Sequence, residues 1–598
     1  MKRIIALLLV LCFIGLALVA CGGEPEETDE ETEKETSEEN TDEENNEDPE
    51  DPGEEPEETE ETEKKPSKPG ETTKPTTKPT SKPTNKPKPT ESQEVTSTET
   101  DEFGQNELVS AVPTEELDFE GQEIVIAVRD NVNLYREWQK KDTDAADMDA
   151  TLDDAITIRN DVVNTVLNIT PKFDYQTYSG YDDCVNKFNQ LIRTDVIQGI
   201  HLYDIVVNQA YPAVNPTIRD CLANLNDKDM FPYFSFKMPC WNQSIVENTL
   251  INDKIFAIAG DINLSMFDYA SVIWCNKDLY AQHRVEEEGD PENIQDVALE
   301  GGWTYEMLYN WAARPAQDTD TGTVCGDLHG FAGTFHFFDA APAAWDFSLV
   351  EETNNGRHAY TVKGNQRAQD ALDVLNILFE QSGYADYHTQ GQGQICTCEK
   401  GQVKHFTEGA YVFMSSIVYG GEQANSMIRD MEMRHCILPI PKWEAEQENY
   451  GTTSADTYNL ITVLNHYENL DYPLLGEEIS AYLQLMAEES YTDVRKYYFD
   501  RIIKSKFFGA EEDVDGTVEK SQEMFYMIVD NIEFATETIY STLLNDIGWL
   551  WRDNILRGNG TPLATAFVSN NFSGGGARDE AGYLYALAEF DAWIFDEI

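Results

Sequence analysis

The sequence predicts an α/β fold for residues 117–598, in which a mostly parallel sheet is covered by helices. Three observations support this prediction. The stretch of about 480 residues has an ordinary globular composition and contains no second linker. Its apolar residues switch between strand periodicity and helix periodicity. Helical patterns dominate its later half, and strands that alternate with helices form a mostly parallel sheet between layers of helices.

The first predicted strand is the apolar run at 123–128, which is bounded by Gly121 and Asp130. The elements that follow are a helix at 152–166, a strand at 169–175, a helix at 181–192 and a strand at 203–207. Apolar residues at i, i+3 and i+4 then predict helices at 304–314, 366–381, 475–489, 518–531 and 538–555. Ligands of open α/β sheets bind at the carboxyl ends of strands, so the residues just after each strand are candidates for the site.

The chain is strongly acidic, with 111 Asp and Glu against 43 Lys and Arg and a formal net charge of −68. Residues 24–63 hold 24 acids and only Lys34, whereas residues 64–90 hold eight lysines and Glu71. The chain after Ser110 still carries about −48. This excess argues against a nucleic-acid binder, because an acidic surface repels polyanions and anionic lipid head groups.

The first twenty residues predict a secretory signal. Lys2 and Arg3 precede an apolar run at 4–17, which is short for a membrane span. The run is followed by Leu18-Val19-Ala20-Cys21, which resembles the bacterial lipobox. The resemblance implies that Cys21 is acylated and becomes the mature N-terminus, anchored to the membrane by its acyl chains. The alternative is an uncleaved transmembrane anchor, and in both cases the bulk of the chain lies outside the membrane.

Residues 21–112 are predicted to be a disordered linker. Its acidic part repels itself and has no aromatic residue up to Glu63, and its second part repeats Lys-Pro every four residues from Lys74 to Pro87, preceded by Thr, Thr, Ser and Asn in turn. Proline at this spacing favours an extended polyproline II chain. We interpret the linker as a spacer through a thick cell wall, with glycosylated or wall-binding repeats as the alternatives.

Five segments of the body, in order along the chain, resemble the extracellular solute-binding proteins of bacterial ABC importers, which often bind sugars. The segments begin at Asp204, Ser271, Gly302, Phe406 and Ile437. The most specific are Asn276-Lys277-Asp278-Leu279, the Trp303-Thr304 helix start and Leu438-Pro439-Ile440-Pro441-Lys442. Ala410 departs from the family pattern, which has lysine at that place.

The resemblance implies a periplasmic-binding-protein-like type II fold at 113–598, with two α/β lobes, a hinge and a ligand cleft between the lobes. It places lobe 1 at about 118–265 and 457–540, and lobe 2 at about 266–456 and 541–598. It also implies a function without catalysis, in which the lobes close on a small solute and deliver it to membrane permease subunits.

Sugars present apolar ring faces edged by hydroxyl groups, so a sugar site needs aromatic rings and planar polar side chains. Residues of these types follow predicted strands, lie in loops or fall at the expected hinge. The candidates for ligand contact are Asp130, Gln209, Tyr211, Trp241, Asp268, Tyr269, Trp345, Tyr419, Asp456 and Tyr458. Charged anionic solutes are disfavoured because no arginine cluster follows the strands, whereas a cationic or peptide ligand stays open. Trp311, Trp549, Trp551 and Trp593 follow helical patterns and are predicted to be core.

No cofactor and no metal site is predicted. The Asp318-x-Asp320-x-Gly322 segment lacks the acidic ligand that ends a calcium loop, and Cys396-x-Cys398 has no second metal-binding pair. The eight cysteines after Cys21 are core thiols or disulfides. No hydrolase, zinc-protease or P-loop motif occurs in the sequence.

Two other functions stay open at this stage. A wall-tethered polysaccharide hydrolase has tethers of the same type and would need a pair of carboxylates across its substrate. A sensor or adhesin that presents a ligand would use the same fold. The solute itself and the importer or sensor role cannot be read from the sequence.

Overall fold

The computed structural model describes residues 108–130, 137–139, 150–286, 289–315, 328–381, 385–388, 401–418, 428, 431–466, 476–500, 516–557, 561–570 and 578–597. All of them belong to one compact unit, Ser92–Ile598. The predicted signal peptide, Cys21, nearly all of the predicted linker, Tyr419, the 318–322 segment and the Cys396–Cys398 pair lie outside these residues. Within the described ranges, no helix combines the length and the apolar character that crossing a membrane requires.

In the part of the chain that the structure describes, thirteen strands form two large sheets and two small two-stranded ones. The strands are β1 Gln122–Arg129, β2 Ile169–Gln176, β3 Ile205–Gln209, β4 Ser271–Asn276, β5 His329–Thr334, β6 Val350–Glu352, β7 His358–Tyr360, β8 Ala385–His388, β9 Tyr411–Ile417, β10 His435–Leu438, β11 Asn459–Val463, β12 Ser569–Asn570 and β13 Arg578–Asp579. The first sheet has the order β2-β1-β3-β11 and the second has the order β8-β5-β9-β4-β10.

The helices of the first half are α1 Ala150–Leu167, α2 Tyr181–Ile197, α3 Ala210–Ala213, α4 Gln243–Thr249, α5 Ser265–Asp268, α6 Lys277–His283, α7 Ile294–Leu299, α8 Tyr305–Ala312 and α9 Phe335–Ala344. Those of the second half are α10 Gln366–Asn376, α11 Gly401–Thr407, α12 Gly476–Glu489, α13 Arg495–Asp500, α14 Thr517–Asp530, α15 Thr536–Ile539, α16 Ile547–Arg557, α17 Leu563–Val568 and α18 Glu580–Ile594.

The two large sheets share one topology. In each of them, three parallel strands lie in the order second, first, third, and an antiparallel strand lies beside the third. In the first sheet this strand is β11, which comes from beyond the second sheet. In the second sheet it is β4, which is the first strand after the chain leaves the first sheet. The second sheet has one further strand, β10, which pairs antiparallel with β4. This arrangement of two α/β lobes that exchange strands confirms the predicted fold class.

Local sequence signals account for several elements. The Asn276 side chain accepts a hydrogen bond from the Leu279 backbone NH at 3.0 Å and begins α6. Thr304 caps α8 in the same way, as predicted. The neighbouring Trp303 is fully buried and its indole NH donates to the Pro439 carbonyl at 3.0 Å. The motif segments therefore meet in the core of the second lobe.

Three segments of the chain lie side by side at the hinge. Residues 264–271 bridge to residues 453–455, because Ala270 pairs with Ser454 and the Ala455 NH donates to the Tyr269 carbonyl at 2.9 Å. The third segment joins through Thr452, which pairs with Ile532. Residues 264–271, 452–455 and 532 therefore meet at one junction, which is called the hinge below.

One predicted helix is wrong in its extent. The pattern at 538–555 predicts a continuous helix, but the structure has α15 and α16 with a turn between them, in which Asn545 and Asp546 adopt φ of 55° and 57°. Side chains of this kind tolerate the left-handed region, so the turn is built without glycine. The other predicted elements agree with the observed strands and helices to within a few residues, except that the last turn of the 366–381 helix is a π-helix.

The lobe boundaries drawn at 265 and 540 stay a prediction. Helix α14, which falls in the predicted first lobe, packs on α7 and β10 of the second. The five cysteines in the described ranges, Cys184, Cys221, Cys240, Cys275 and Cys436, are buried free thiols.

Candidate functional site

A cavity of about 360 Å³ lies at the hinge. Its lining includes Ala210 at the end of β3, Asn248 on α4, residues 453–456 of the hinge, and residues of α9 and α16. Elements that flank both sheets therefore contribute to one cavity. Its volume is in the range of sites that hold small molecules.

Asp456 lies in the hinge segment and faces this cavity. Burial raises the pKa of its carboxyl to about 6, with the Arg552 charge opposing the shift and the Asp339 charge adding to it. No described residue gives this carboxylate a hydrogen bond or an ion pair, although the Asp456 backbone carbonyl accepts from the Tyr211 NH at 3.3 Å. A half-buried carboxylate without a protein partner in a cavity is suited to contact a ligand.

The α9–α16 side of the cavity is aromatic and charged. Arg552 donates to an Asp339 carboxylate oxygen at 2.8 Å, and its guanidinium lies 3.5 Å from the centroid of the Trp549 ring and 5.3 Å from that of Phe335. Burial raises the pKa of Asp339, while Arg552 opposes the shift. Arg552 is therefore already engaged by a carboxylate and by ring faces.

The turn that interrupts the predicted helix positions Trp549. Its indole NH donates to Ser541 Oγ at 3.0 Å, and its backbone NH donates to the Asp546 carbonyl. Asp546 also accepts from the Tyr211 hydroxyl at 2.8 Å, and the Tyr211 and Trp549 rings meet edge to face at 5.2 Å. Tyr181 continues this row at 5.5 Å from Tyr211. The row joins the first lobe to α16.

Polar side chains at the end of the first sheet bond within the protein, although Arg129 Nε is buried without a hydrogen-bond partner. Arg129 at the end of β1 is buried, donates to Gln209 Oε1 at 3.0 Å and also donates to the Thr457 carbonyl. Gln209 at the end of β3 is buried as well. These groups use their hydrogen bonds within the protein, so they hold the hinge segment against the first sheet.

The remaining side of the cavity is acidic. Glu537 is buried and accepts from the Leu349 NH at 2.7 Å and from Ser348 Oγ. Burial raises the pKa of Glu533 to about 7, and the nearby Asp346 charge adds to the shift. Phe347, Tyr458, Phe534, Trp549 and Trp551 supply the aromatic part of the lining.

Of the ten predicted contact residues, Asp456 and Tyr458 line the hinge cavity, and Tyr211 lies at its margin against Trp549. Gln209 and Asp130 lie at the ends of their strands, and Tyr269 lies at the hinge. Trp241 is buried, lines a second cavity, and donates its indole NH to Gln484 Oε1 at 2.9 Å.

The other candidates are engaged in packing. Trp345 is fully buried, with its indole NH donated to the Pro441 carbonyl at 3.0 Å, and Asp268 is buried and accepts from the Tyr498 hydroxyl at 2.5 Å. Tyr419 lies outside the described residues. Contact with a ligand stays a prediction for all ten.

Most lining residues were missed by the sequence reasoning, among them Asp339, Trp549 and Arg552. Trp549 was predicted to be core, but it is half-buried and lines the cavity, whereas Trp551 is fully buried although it also contributes to the lining. A signal was present in the sequence. Residues two apart on a helix point to different sides, while Trp549 and Arg552, three apart, share one side.

Over the ranges that the structure describes, no group of three or more His, Cys, Asp or Glu side chains is arranged to hold a metal ion.

The sequence matches no protein-family model and no curated protein. Among solved structures, the chain is similar to maltose-bound MalE3 of T. maritima, with 14% identity and a TM-score of 0.41, covering 75% of this chain and 97% of that one. It is also similar to an ABC substrate-binding protein from Listeria monocytogenes in complex with cycloalternan, with 13% identity and a TM-score of 0.41, covering 80% of this chain and 99% of that one. A third is the maltose-maltodextrin binding protein of Alicyclobacillus acidocaldarius, with 12% identity and a TM-score of 0.42, covering 75% of this chain and 99% of that one.

Proposed function

We propose that this chain is a lipid-anchored, extracellular solute-binding protein that captures an oligosaccharide at the hinge cavity and delivers it intact to the permease subunits of an ABC importer. The observation that carries the proposal is the cavity itself. It lies beside the hinge, takes its lining from elements of both lobes, and combines five aromatic rings with carboxylates. Rings pack on the apolar faces of sugars, and carboxylates accept hydrogen bonds from sugar hydroxyl groups.

The proposed mechanism is binding coupled to lobe closure. The three hinge segments are the axis, and a solute that contacts both lobes binds the closed state more tightly than the open one. Its binding free energy then shifts the population of lobe arrangements toward the closed form. The transporter would recognise that form, so that solute capture and delivery are coupled.

A thermal-shift screen tests solute binding. The purified full chain is heated with neutral oligosaccharides, amino acids and peptides, each tested separately. We expect an oligosaccharide to raise the Tm by a few degrees, because a ligand at 100 times its Kd stabilises the native state by about 2.7 kcal/mol. Trp549→Ala should lose most of this shift.

The matched control is Tyr585→Ala, since the Tyr585 side chain is 67% exposed on α18 and does not line the cavity. This variant should keep the full shift. If amino acids or peptides alone raise the Tm, the proposed oligosaccharide is wrong. If the bound compound is recovered cleaved, the binding function itself is wrong.

Anchoring is tested separately through Cys21. The Leu18-Val19-Ala20-Cys21 sequence supports acylation of this cysteine, and two acyl chains give stable membrane binding. We expect Cys21→Ala to move the protein from the membrane fraction to the soluble or secreted fraction of the producing bacterium. Cys184→Ala, a buried cysteine of the folded body, is the control and should stay with the membrane. A Cys21→Ala variant that sediments with membranes as the unchanged chain does would contradict lipid anchoring.

A further inference from the structure

The charge of the hinge cavity restricts the solute that it accepts. Six carboxylates and one cation are among its described lining residues; the acids are Asp339, Asp346, Glu351, Asp456, Glu533 and Glu537, and the cation is Arg552. The lining is therefore negative by about five charges when all groups are ionised. An anionic solute would meet repulsion throughout such a cavity.

The two arginines nearest Asp456 are already engaged. Arg552 is paired with Asp339 at 2.8 Å, and Arg129 donates to Gln209 and to the Thr457 carbonyl. Neither forms an ion pair with Asp456 in the structure, although both charges act on it. A solute carboxylate would therefore have to displace a protein acid to gain a cationic partner, which disfavours amino acids and peptides with a free C-terminus.

Asp456, by contrast, would gain from a positively charged ligand group. Its ionised form is destabilised by burial and by the like charges of Asp339 and Asp546, as the rise of its pKa to about 6 indicates. Without a hydrogen-bond partner among the described residues, the carboxylate gains most from a donor that carries a positive charge.

We propose that the solute is an amino sugar or an oligosaccharide of amino sugars, and that its ammonium group binds Asp456. This inference rests on the proposed function and names the class of sugar. The sugar ring provides an apolar face for the aromatic lining, and the ammonium group supplies the charge that the cavity lacks. Neutral sugars of the same size fit the cavity but leave the Asp456 charge without a cationic partner.

Three trisaccharides with the same ring and the same β-1,4 linkage test this proposal. They differ only at C2, which carries an amine in chitotriose, an acetamide in triacetylchitotriose and a hydroxyl in cellotriose. Calorimetric titration of the full chain at about pH 6.5, just above the Asp456 pKa, gives a Kd for each trisaccharide. We expect the amine to bind at least about tenfold more tightly than the hydroxyl, as a charge-assisted hydrogen bond provides.

Asp456→Asn keeps the shape of the side chain and removes its charge. In this variant the preference for the amine over the hydroxyl should fall to about twofold or less, whereas Asp229→Asn at an exposed loop position should retain it. Raising the salt concentration should weaken the preference of the unchanged chain for the amine only slightly. Salt screens a charge pair inside a cavity less than it screens an exposed pair.

The outcomes separate the two proposals. Equal or tighter binding of cellotriose or triacetylchitotriose overturns the amino-sugar inference and leaves the oligosaccharide function intact. An amine preference that survives Asp456→Asn overturns the role of Asp456. If no sugar of any kind binds, both proposals are wrong.

Discussion

The two sides of the hinge, called here the first and the second wall, differ in how their polar groups are used. At the end of the first sheet, Arg129 and Gln209 are buried and hydrogen-bonded to each other and to the hinge backbone. On the α9–α16 side, Asp339, Trp549 and Arg552 are only half-buried and line open space. The first wall is a fixed support, and the second is the wall that has side chains available to a solute. Symmetry of topology between two sheets therefore does not imply symmetry of function.

Removing Arg129 has the largest expected effect on this contrast. Arg129→Met leaves Gln209 Oε1 and the Thr457 carbonyl without their donor inside the protein, and the free energy of unfolding should fall by about 3 kcal/mol. Urea denaturation of the full chain measures this change. Lys172→Met, which breaks an exposed pair with Glu123, is the control and should cost less than about 0.5 kcal/mol. Equal urea midpoints for Arg129→Met and the unchanged chain would show that Arg129 does not stabilise the folded hinge.

A smaller effect is expected from Asp456→Asn. The folded pKa of Asp456, about 6, lies above its usual value, so the folded state holds the proton more tightly and stability is lost as pH rises from about 4 through 6. Asparagine has no such loss. At pH 7 the variant should be more stable than the unchanged chain by about 1–2 kcal/mol, and near pH 4 the difference should vanish.

Denaturation curves at several pH values measure the difference between the two chains. Asp229→Asn at its exposed position should show no comparable pH dependence. A stability difference for Asp456→Asn that is independent of pH would show that its carboxyl is not destabilised in the cavity.

The sequence predicted the elements of the fold better than it predicted the site. A strand such as β1 and the helix start at Thr304 depend on neighbouring residues, and these signals were sufficient. The two lobes were predicted from the motif segments, which meet in the core of the second lobe, as Trp303 and Pro439 do.

The site depends on contacts between distant segments, such as Arg552 with Asp339, 213 residues apart. The periodicity of apolar residues in the sequence cannot reveal such a contact. Residue type alone did not separate buried aromatic residues from those that line the cavity. Trp345 and Trp549 are both tryptophans near turns, yet Trp345 is fully buried and Trp549 is half-buried beside the cavity. Only the packing of α16 distinguishes them.

The exchange of strands between the sheets has a consequence for synthesis. Strand β3 pairs with β11, which the ribosome adds about 250 residues later, so the first sheet stays without its fourth strand until the second lobe has been made. Neither half of the body is a self-sufficient folding unit, and pairing across such a long separation is slow. We therefore predict that fragments ending before β11 are targets for chaperones and proteases.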